Sequence, residues 1–448
     1  MHYDIIIIGS GPGGYKAAVS AARAGKSVAI AEEKHLGGTC LSEGCIPTKC
    51  LCRNAESLRE IRAAERFGIS VSDLRFDISK AILRKNEVVA RLTEGIRALL
   101  RTPGITLLEG HAHLLPGKSV RVGSEVHTAE HIIIATGSEP KFLPIEGVHL
   151  PGVLTSTEIL DLEEVPPRLC VIGGGVIGLE FASIFSSFGS EVTVVEYCKE
   201  VLPNFDRDIA KRLRTALKKQ GISFHTGAAV GAIRTTDDGA LTVCFEEKGR
   251  QGEVVADKVL MAVGRAARLE TESLDAAGIA YTRRGITVDE HMQTSQPGIY
   301  AVGDVNGLCQ LAHAATFQSY IALNHILQQP CSIQPDIVPA AVFTSPEVAS
   351  VGQTEEQLVA AGTAYTVHKA LYRANGKALA MDEEEGIVKL LADDGGRLLG
   401  AHILGAHAAD LIHEPALLMQ HGGTLAELSS TIHAHPALSE VLLDAAGQ

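Results

Sequence analysis

The sequence contains no tryptophan, few aromatic residues of any kind and no excess of basic residues. Aromatic residues make up 4% of the 448 residues, and the formal net charge is −13. Proteins that bind nucleic acids need clustered Lys and Arg to neutralise phosphates, and those that bind single strands also stack bases on aromatic side chains. We therefore expect no nucleic-acid partner.

Long apolar runs are missing near the N-terminus. The run there contains only the four isoleucines at 5–8, whereas about 20 apolar residues are needed to cross a bilayer. No charged segment or cleavage site accompanies it, as a secretory signal would require. We therefore expect no membrane partner and a cytoplasmic location. In such a reducing compartment, the nine cysteines are not expected to form a disulfide framework.

A glycine-rich motif follows the isoleucine run. It consists of Gly9, Gly11 and Gly14 in the spacing G-x-G-x-x-G. The pattern predicts a strand before the motif, an Ala-rich helix after it, and a second strand at 27–31 that ends at Glu32. Such glycines let a pyrophosphate approach the helix N-terminus, and the acidic residue accepts hydrogen bonds from ribose hydroxyls. Glu33 is an alternative to Glu32 at the ribose.

A second copy of the motif lies further along the chain. It has a predicted strand at 169–172, a helix, a strand that ends at Glu196, and three glycines, Gly173, Gly175 and Gly178. Glu196 lies 23 positions after Gly173, as Glu32 lies 23 positions after Gly9. Two complete copies predict two bound dinucleotides and electron transfer between them. A carboxylate at Glu196 would repel a ribose 2′-phosphate, so it favours NAD over NADP.

Two cysteines, Cys40 and Cys45, lie in the segment "GGTCLSEGCIPTK" at 37–49. With Cys50 and Cys52 they form the spacing C-x4-C-x4-C-x-C, which fits neither zinc pairs nor common iron–sulfur runs. No metal site is therefore predicted. A structural disulfide and a redox-active disulfide both stay open from the residues alone.

A disulfide between these two cysteines restricts the backbone conformation of the segment between them. In a regular helix, Cα atoms five residues apart are separated by roughly 8.6 Å, whereas a disulfide requires about 4.4–6.8 Å. The segment therefore cannot be regular helix throughout, and Gly44 is the residue best suited to an interruption.

The segment at 37–49 resembles the redox-disulfide segment of the pyridine nucleotide-disulfide oxidoreductases, and among them most closely that of the dihydrolipoamide dehydrogenases. Further motifs of that family follow in the family's order over essentially the whole chain: "IIIATGSEP", "MAVGR", "IYAVGDV", "QLAHAA", "FTSPEVASVG" and "HAHPALSE".

The resemblance implies an α/β fold class with two Rossmann-like domains and a C-terminal α+β dimerisation domain. The predicted boundaries are an FAD-binding domain at 1–145, an NAD-binding domain at 146–265, a return to the FAD-binding domain and a central segment at 266–333, and the dimerisation domain at 334–448. It implies FAD in the first site and NAD in the second, and a homodimer whose active site is completed across the interface. Further cofactor-binding residues implied in this way are Thr136, Gly137, Asp304 and Gly264.

The resemblance also implies the reaction and its residues. Protein-bound dihydrolipoamide would be oxidised to lipoamide while NAD is reduced to NADH, and the partner would be the lipoyl domain of a 2-oxo-acid dehydrogenase or glycine-cleavage complex. Cys40 would exchange with the lipoyl sulfur and Cys45 would be the thiolate against the flavin. Lys49 would lie near the flavin and pair with Glu180, a carboxylate on a predicted buried helix.

The acid–base group implied by the resemblance is His435, oriented by Glu440. The residues make this reasonable, because dithiol oxidation needs a base and histidine titrates near neutrality. Pro436 suits the first position of a helix, which would place His435 at its cap and Glu440 one turn further on. His433 is a competing histidine in the same segment.

The sequence departs from the family pattern at a few positions, and two alternative functions remain. Glu43 places a carboxylate between the two cysteines, Ala437 stands where the family commonly has Thr, and Phe317 stands where it tends to polar residues. The alternatives are an NADH-linked reductase of another disulfide and a non-catalytic flavoprotein that acts as a redox sensor.

Overall fold

The structure, a computed structural model, describes residues 1–447. These residues form two compact units. The first contains residues 1–50, 80–141 and 265–335, and the second contains residues 51–79, 142–264 and the chain from 336 onward. The domain boundaries at 145, 265 and 333 stay a prediction. No helix within the described residues is long and apolar enough to cross a bilayer.

A seven-stranded sheet forms the centre of the first unit. In sheet order its strands are Ile105–Glu109, Val28–Glu32, His2–Ile8, Glu125–Ile134, Ser119–Val122 and Ala112–Leu115, with Ile299–Ala301 paired to Glu125–Ile134. The first four strands and Ile299–Ala301 are parallel, whereas Ser119–Val122 and Ala112–Leu115 pair antiparallel with their neighbours. Ile5, Ile6 and Ile7 are completely buried, as expected for a parallel strand covered on both faces.

Helices and short strand pairs complete the first unit. The helices are Pro12–Arg23, Gly38–Ser42, Thr271–Ala277 and Ala312–Ile326, and two further helices, Cys45–Arg62 and Ile78–Leu99, contain residues of both units. Ser138–Pro140 pairs with Arg265–Ala267, and Tyr281–Thr282 pairs with Gly285–Ile286. Pro12 begins its helix, at a position where a missing N–H group leaves no hydrogen bond unmade.

A parallel five-stranded sheet belongs to the second unit. In sheet order its strands are Ser223–Thr226, Glu191–Glu196, Arg168–Ile172, Lys258–Met261 and Val153–Leu154. The helix Val176–Phe188 ends at Gly189, which has φ 110°, a value that glycine adopts without steric cost. The next helix, Arg207–Lys219, is capped by the Asp206 carboxylate.

Two antiparallel sheets complete the second unit. One contains Ala228–Thr235, Leu241–Glu247 and Arg250–Ala256; the other contains Ala340–Val342, Val348–Gly352, Leu398–Leu404, Ile387–Ala392 and Thr366–Leu371. The remaining helices are Glu355–Ala361, Gly376–Ala380, Ala408–Leu411, His413–Gln420, Leu425–Ser430 and Glu440–Ala446. Strands Val28–Glu32 and Glu191–Glu196 each end at the predicted acidic residue.

Candidate redox and dinucleotide sites

The first glycine loop joins the strand His2–Ile8 to the helix Pro12–Arg23. Gly9 has φ 101°, and a Cβ added there would lie 2.3 Å from the Ala135 carbonyl oxygen. A Cβ at Gly14 would lie 1.9 Å from the Gly9 oxygen, whereas one at Gly11 would meet no atom within 4 Å. The outer glycines are thus required by packing, and Gly11 leaves open space at a helix N-terminus, which fits the pyrophosphate of a dinucleotide.

The second glycine loop has the same construction. Gly173 has φ 109°, and an added Cβ would lie 2.4 Å from the Ala262 carbonyl oxygen. A Cβ at Gly178 would lie 2.0 Å from the Gly173 oxygen, and one at Gly175 would meet no atom within 4 Å. This loop therefore also leaves room for a phosphate group next to its helix.

The acidic residue of the first copy faces its glycine loop. The backbone N–H of Ser10 donates to Glu32 Oε2 at 2.9 Å, and the N–H of Lys34 donates to Oε1 at 2.9 Å. The neighbouring Glu33 instead pairs with Arg268 and accepts from His111 Nδ1 at 2.6 Å. Of the two carboxylates, Glu32 is the one held at the loop.

Glu196 repeats this arrangement in the second copy. It accepts from the N–H of Gly174 and from the N–H of Cys198, both at 2.5 Å. The donors occupy the same positions in both copies. One is the N–H of the residue before the middle glycine, and the other is the N–H of the second residue after the acidic residue. Each carboxylate is thereby fixed beside its loop, with lone pairs left to accept from ribose hydroxyls.

Thr136, Gly137 and Asp304 are held together within the first unit. The Thr136 hydroxyl donates to the Arg268 carbonyl oxygen at 3.0 Å, and the Arg268 N–H donates to the Gly137 oxygen at 3.0 Å. The Ser138 hydroxyl donates to Asp304 Oδ2 at 2.5 Å. Gly264, at the end of a segment of the second unit, has φ 100°.

Sequence reasoning missed Ser138 and Arg265 as members of this group. Arg265 Nε and Nη2 donate to the hydroxyl and carbonyl oxygens of Ser138, each at 2.7 Å. Burial lowers the pKa of Arg265, while Asp304, Glu43 and Cys45 oppose that shift. Both residues stand inside motifs that were recognised, directly after "ATG" and at the end of "MAVGR", so their position was the available signal. The positive charge of Arg265 also interacts favourably with the negative charge of Glu43, one of the departures from the family pattern.

The cysteine pair lies at a break between two helices. The helix Gly38–Ser42 stops before Glu43, and the next helix begins at Cys45. A Cβ at Gly44 would lie 2.9 Å from the Thr39 carbonyl oxygen, so a larger residue would force the two helices apart. The predicted interruption at Gly44 is confirmed.

Cys40 and Cys45 are both in the thiol form and hydrogen bond to each other. This hydrogen bond, together with burial, raises the pKa of Cys40 well above its ordinary value, and Lys49 opposes the shift. A hydrogen bond between two thiols brings their sulfur atoms next to each other, as disulfide formation requires. The geometry therefore suits a pair that is oxidised and reduced. Cys50, one of the two additional cysteines, is buried.

Lys49 and Glu180 fall in different units. Glu180 lies in the helix Val176–Phe188, where it is 4% exposed. Its Oε1 accepts from the backbone N–H of Phe343 at 2.9 Å, which provides one of the hydrogen bonds that a buried carboxylate needs. The predicted pairing of Lys49 with Glu180 stays a prediction.

His435 and Glu440 are brought together as expected, but by a different local structure. His435 Nδ1 lies 3.0 Å from Glu440 Oε1. The predicted helix start at Pro436 is wrong, because the helix begins at Glu440. The N–H of Ala437 donates to Glu440 Oε2 at 2.9 Å, so this carboxylate closes a turn over the residues that were expected to be helical.

The competing His433 has a different partner. Its Nδ1 lies 2.8 Å from the Thr431 carbonyl oxygen, and its Nε2 lies 2.9 Å from Glu414 Oε1. The His433 side chain is 5% exposed, whereas that of His435 is 79% exposed. His435 is therefore the more accessible of the two for a reacting group.

Two family models together match nearly the whole chain. Residues 3–319 match the pyridine nucleotide-disulphide oxidoreductase model, and residues 338–446 match the dimerisation domain of the same family. The second match supports the predicted homodimer.

Curated relatives and solved structures agree with these models. A dihydrolipoyl dehydrogenase from Bacillus subtilis (strain 168) is 40% identical over 99% of this chain and 97% of its own length. Another from Thermus scotoductus is 41% identical over 99% and 96%. The Cu(II) complex of the HOCl-induced flavoprotein disulfide reductase RclA from Escherichia coli has a TM-score of 0.89 and is 33% identical, with 100% and 99% of the two chains covered.

The predicted fold class and the predicted oxidoreductase class are confirmed by these matches. The chain belongs to the pyridine nucleotide-disulphide oxidoreductase family.

Proposed function

We propose that the chain is a dihydrolipoyl dehydrogenase, which oxidises protein-bound dihydrolipoamide to lipoamide and reduces NAD to NADH. FAD and NAD are the cofactors of this family, and the prediction of both is confirmed by the membership. The observation that carries the proposal is the contact between the Cys40 and Cys45 thiols at a helix break, in the same unit as the first glycine loop. Full-length relatives of about 40% identity named dihydrolipoyl dehydrogenase support the substrate.

The thiol chemistry uses the cysteine pair as a two-electron acceptor. One dihydrolipoyl thiolate attacks Cys40 in the Cys40–Cys45 disulfide, which forms a mixed disulfide and releases Cys45 as a thiolate. The second dihydrolipoyl thiol, once deprotonated, displaces Cys40 and closes the lipoyl disulfide. The pair is then a dithiol, and lipoamide leaves. The chemistry that bound FAD would supply is the transfer of the two electrons of the dithiol to NAD, which would restore the Cys40–Cys45 disulfide.

His435 is the proposed base for the dihydrolipoyl thiols. Glu440 accepts at Nδ1, which leaves Nε2 for the substrate proton. The hydrogen bonds from the Ala437 N–H and from His435 Nδ1 lower the pKa of Glu440, so the carboxylate is ionised and stabilises a protonated imidazole. Because His435 is 79% exposed in the single chain, we propose that a second subunit brings it to the cysteine pair of its neighbour.

The nucleotide sites are assigned by their carboxylates. We propose that Gly9, Gly11, Gly14 and Glu32 hold the adenosine half of FAD, with Thr136, Gly137 and Asp304 along the rest of the cofactor. We propose that the second loop holds NAD. Glu196 is ionisable and already fixed beside the loop by two N–H groups, so it would accept from a free ribose 2′-OH and repel a 2′-phosphate. The proposed partner is a lipoyl domain, in a reducing cytoplasm.

The proposal is tested by steady-state assays with two thiol or disulfide substrates, dihydrolipoamide and glutathione, and with NAD or NADP. We expect rapid NAD reduction with dihydrolipoamide, no comparable activity with glutathione, and poor activity when NADP replaces NAD. Replacing Cys45 by Ser should abolish the dihydrolipoamide reaction. Replacing Cys331, an exposed free cysteine, by Ser is the matched control and should leave the rate unchanged.

Other outcomes point to other functions. Activity with a different disulfide and none with lipoamide would identify a reductase of that disulfide. A folded, flavin-containing protein without turnover of any disulfide would identify a non-catalytic redox sensor. Either result would overturn the proposal.

A further inference from the structure

We propose that His111, His113 and Glu270 form a binding site for a borderline divalent metal ion, and that Zn²⁺ is the ion it suits best. All three residues belong to the first unit. One ring nitrogen from each histidine and one carboxylate oxygen lie within 4.8 Å of one another. None of the three takes part in the proposed dithiol reaction.

The three side chains are positioned by packed secondary structure. His111 and His113 occupy alternate positions at the strand Ala112–Leu115 and therefore share one face. Ala112 and Leu114, on the opposite face, are 6% and 4% exposed and belong to the same core cluster as Leu274. Glu270 directly precedes the helix that contains Leu274. Core packing thus holds the carboxylate opposite the two imidazoles.

Glu33 supplies a second carboxylate that orients the first imidazole. Glu33 Oε2 lies 2.6 Å from His111 Nδ1, and His111 Nε2 lies 2.8 Å from Glu270 Oε1. A metal-binding histidine typically donates its other N–H to a carboxylate, which fixes the tautomer and directs the free nitrogen at the ion. Arg268 pairs with the other oxygen of Glu33, which holds this carboxylate in place beside His111.

Hydrogen bonds account for the contacts of His111 but not for the position of His113. Without a metal, the two nitrogens of His111 face Glu33 and Glu270 at hydrogen-bonding distances, whereas His113 Nδ1 is 3.8 Å from Glu270 Oε2, beyond hydrogen-bonding range. Tetrahedral ligands at Zn–ligand distances of about 2.0–2.1 Å are separated by about 3.4 Å from one another. The observed 2.8 Å and 3.8 Å run to the two different oxygens of Glu270, and the three ligand atoms lie within 4.8 Å of one another, so the side chains have to draw together around an ion.

The ligand types favour Zn²⁺ over harder cations. Two imidazoles and one carboxylate suit Zn²⁺ and its transition-metal neighbours, whereas Mg²⁺ and Ca²⁺ prefer oxygen ligands. Three protein ligands leave a fourth tetrahedral position for water. The side chains of His111, His113 and Glu270 are 38%, 42% and 27% exposed, so an ion can reach them from solvent.

The test is calorimetric titration of the metal-stripped, flavin-containing protein with ZnCl2. Any affinity tag is removed and the Cys40–Cys45 pair is kept oxidised, so that thiolates do not compete. We expect one Zn²⁺ per chain in the wild type. His113→Ala and His113→Gln should each weaken it at least 100-fold, Glu270→Gln at least tenfold, and Glu33→Gln about tenfold through loss of the orienting carboxylate.

A matched control comes from a histidine–carboxylate pair that lacks a second histidine. His225 Nδ1 lies 2.9 Å from Glu247 Oε2, and these side chains are 35% and 27% exposed, close to the values at the proposed site. His225→Ala should leave Zn²⁺ binding unchanged. X-ray absorption of the zinc-loaded protein should show nitrogen and oxygen neighbours with imidazole scattering and no sulfur.

Two results would overturn the inference. One is a Zn²⁺ affinity in folded His113→Gln and Glu270→Gln that equals that of the wild type. The other is a sulfur-containing first shell, which would place the ion on cysteines. Circular dichroism of each variant establishes that a lost site is not a lost fold.

Discussion

Replacing Gly175 by Ala should weaken the binding of a dinucleotide at the second loop without changing the stability of the fold. Gly175 has φ −79° and ψ −173°, which is extended backbone that any residue adopts. An added methyl group meets no protein atom within 4 Å, so the folded chain accommodates it. A pyrophosphate, however, has to approach the backbone closely at this position, and the methyl group would keep it away.

The size of the effect follows from the hydrogen bonds that the phosphate would lose. A hydrogen bond between a charged group and a backbone N–H contributes about 1.5–3 kcal/mol. The loss of one such bond corresponds to about a 10- to 150-fold change, since about 1.4 kcal/mol is a factor of ten. We therefore expect the KM for NAD to rise by this factor, with an unchanged unfolding temperature and flavin content.

Two further glycines provide the comparison. At Gly178 an added Cβ would lie 2.0 Å from the Gly173 carbonyl oxygen, so the helix must move away from the strand. Gly178→Ala should therefore destabilise the protein by about 1–3 kcal/mol or more. Gly231, in the strand Ala228–Thr235, has no atom within 4 Å of an added Cβ. Gly231→Ala should change neither stability nor the KM for NAD.

The assay is steady-state reduction of NAD at a fixed dihydrolipoamide concentration, with differential scanning calorimetry on the same samples. The reasoning is refuted if Gly175→Ala is folded and binds NAD as tightly as the wild type. It is also refuted if Gly175→Ala is destabilised as much as Gly178→Ala, because the open space at Gly175 would then not exist.

Four further perturbations test the second unit and the reaction. Lys389 is 1% exposed and donates to both oxygens of the buried Asp206 at 2.9 and 2.7 Å. Lys389→Met should therefore lower the unfolding free energy by about 3–5 kcal/mol, as measured by calorimetry. Adding Asp206→Asn should recover part of this loss. Burial raises the pKa of Asp206, but the hydrogen bond from Lys389 and the other favourable contacts outweigh burial, so the pKa is lowered. The stability that the Asp206 carboxylate contributes is therefore present above its unfolded-state pKa and is lost as pH falls through its folded-state pKa. The unfolding free energies of the wild type and of Lys389→Met should converge in acid. His435→Gln should lower kcat with dihydrolipoamide about 100-fold or more, while NADH-dependent reduction of a dye that bypasses the thiols persists. Glu440→Gln should give a smaller loss of kcat and a shifted pH–rate profile, and an unchanged profile would exclude an orienting role. Cys45→Ser should remove the long-wavelength absorbance band of the two-electron-reduced protein, and a band that persists would assign the thiolate elsewhere.

Features that depend on a few consecutive residues could be predicted from the sequence. Each glycine loop is determined by its own strand, turn and helix, so the spacing of Gly173, Gly175 and Gly178 was enough to predict it. The break at Gly44 also followed from local geometry, because a disulfide between residues five apart is incompatible with a regular helix.

The helix expected from Pro436 was wrong for a reason that the sequence does not reveal. Proline is suited to the first turn of a helix, but it is equally suited to a turn outside one. Two hydrogen bonds stabilise the turn at Pro436 instead of a helix. The Glu440 carboxylate accepts from the Ala437 N–H, and the Asn375 side chain donates to the Ala437 carbonyl oxygen at 3.0 Å. Asn375 is distant in the sequence, so a local pattern could not include it.

Clusters assembled from distant segments were missed for the same reason. The ion pair of Lys389 with Asp206 joins parts of the chain that have no common motif. The group of His111, His113 and Glu270 joins the edge of a sheet to the start of a helix. Nothing in the spacing of these residues distinguishes them from the other histidines and carboxylates, and only the packing of the strand Ala112–Leu115 against the helix Thr271–Ala277 brings them together.

Glu32 and Glu33 show what the structure adds to a motif that the sequence had already identified. Successive residues at a strand end point in opposite directions, so two adjacent carboxylates cannot serve the same site. The offset from the glycines favoured Glu32, and its hydrogen bonds to the Ser10 and Lys34 N–H groups place it at the loop. Glu33 faces His111 instead. Because the two carboxylates diverge, Glu33→Gln should weaken the proposed zinc site while the ribose acceptor at Glu32 stays in place, and a loss of flavin in that variant would mean that the two sites are not independent.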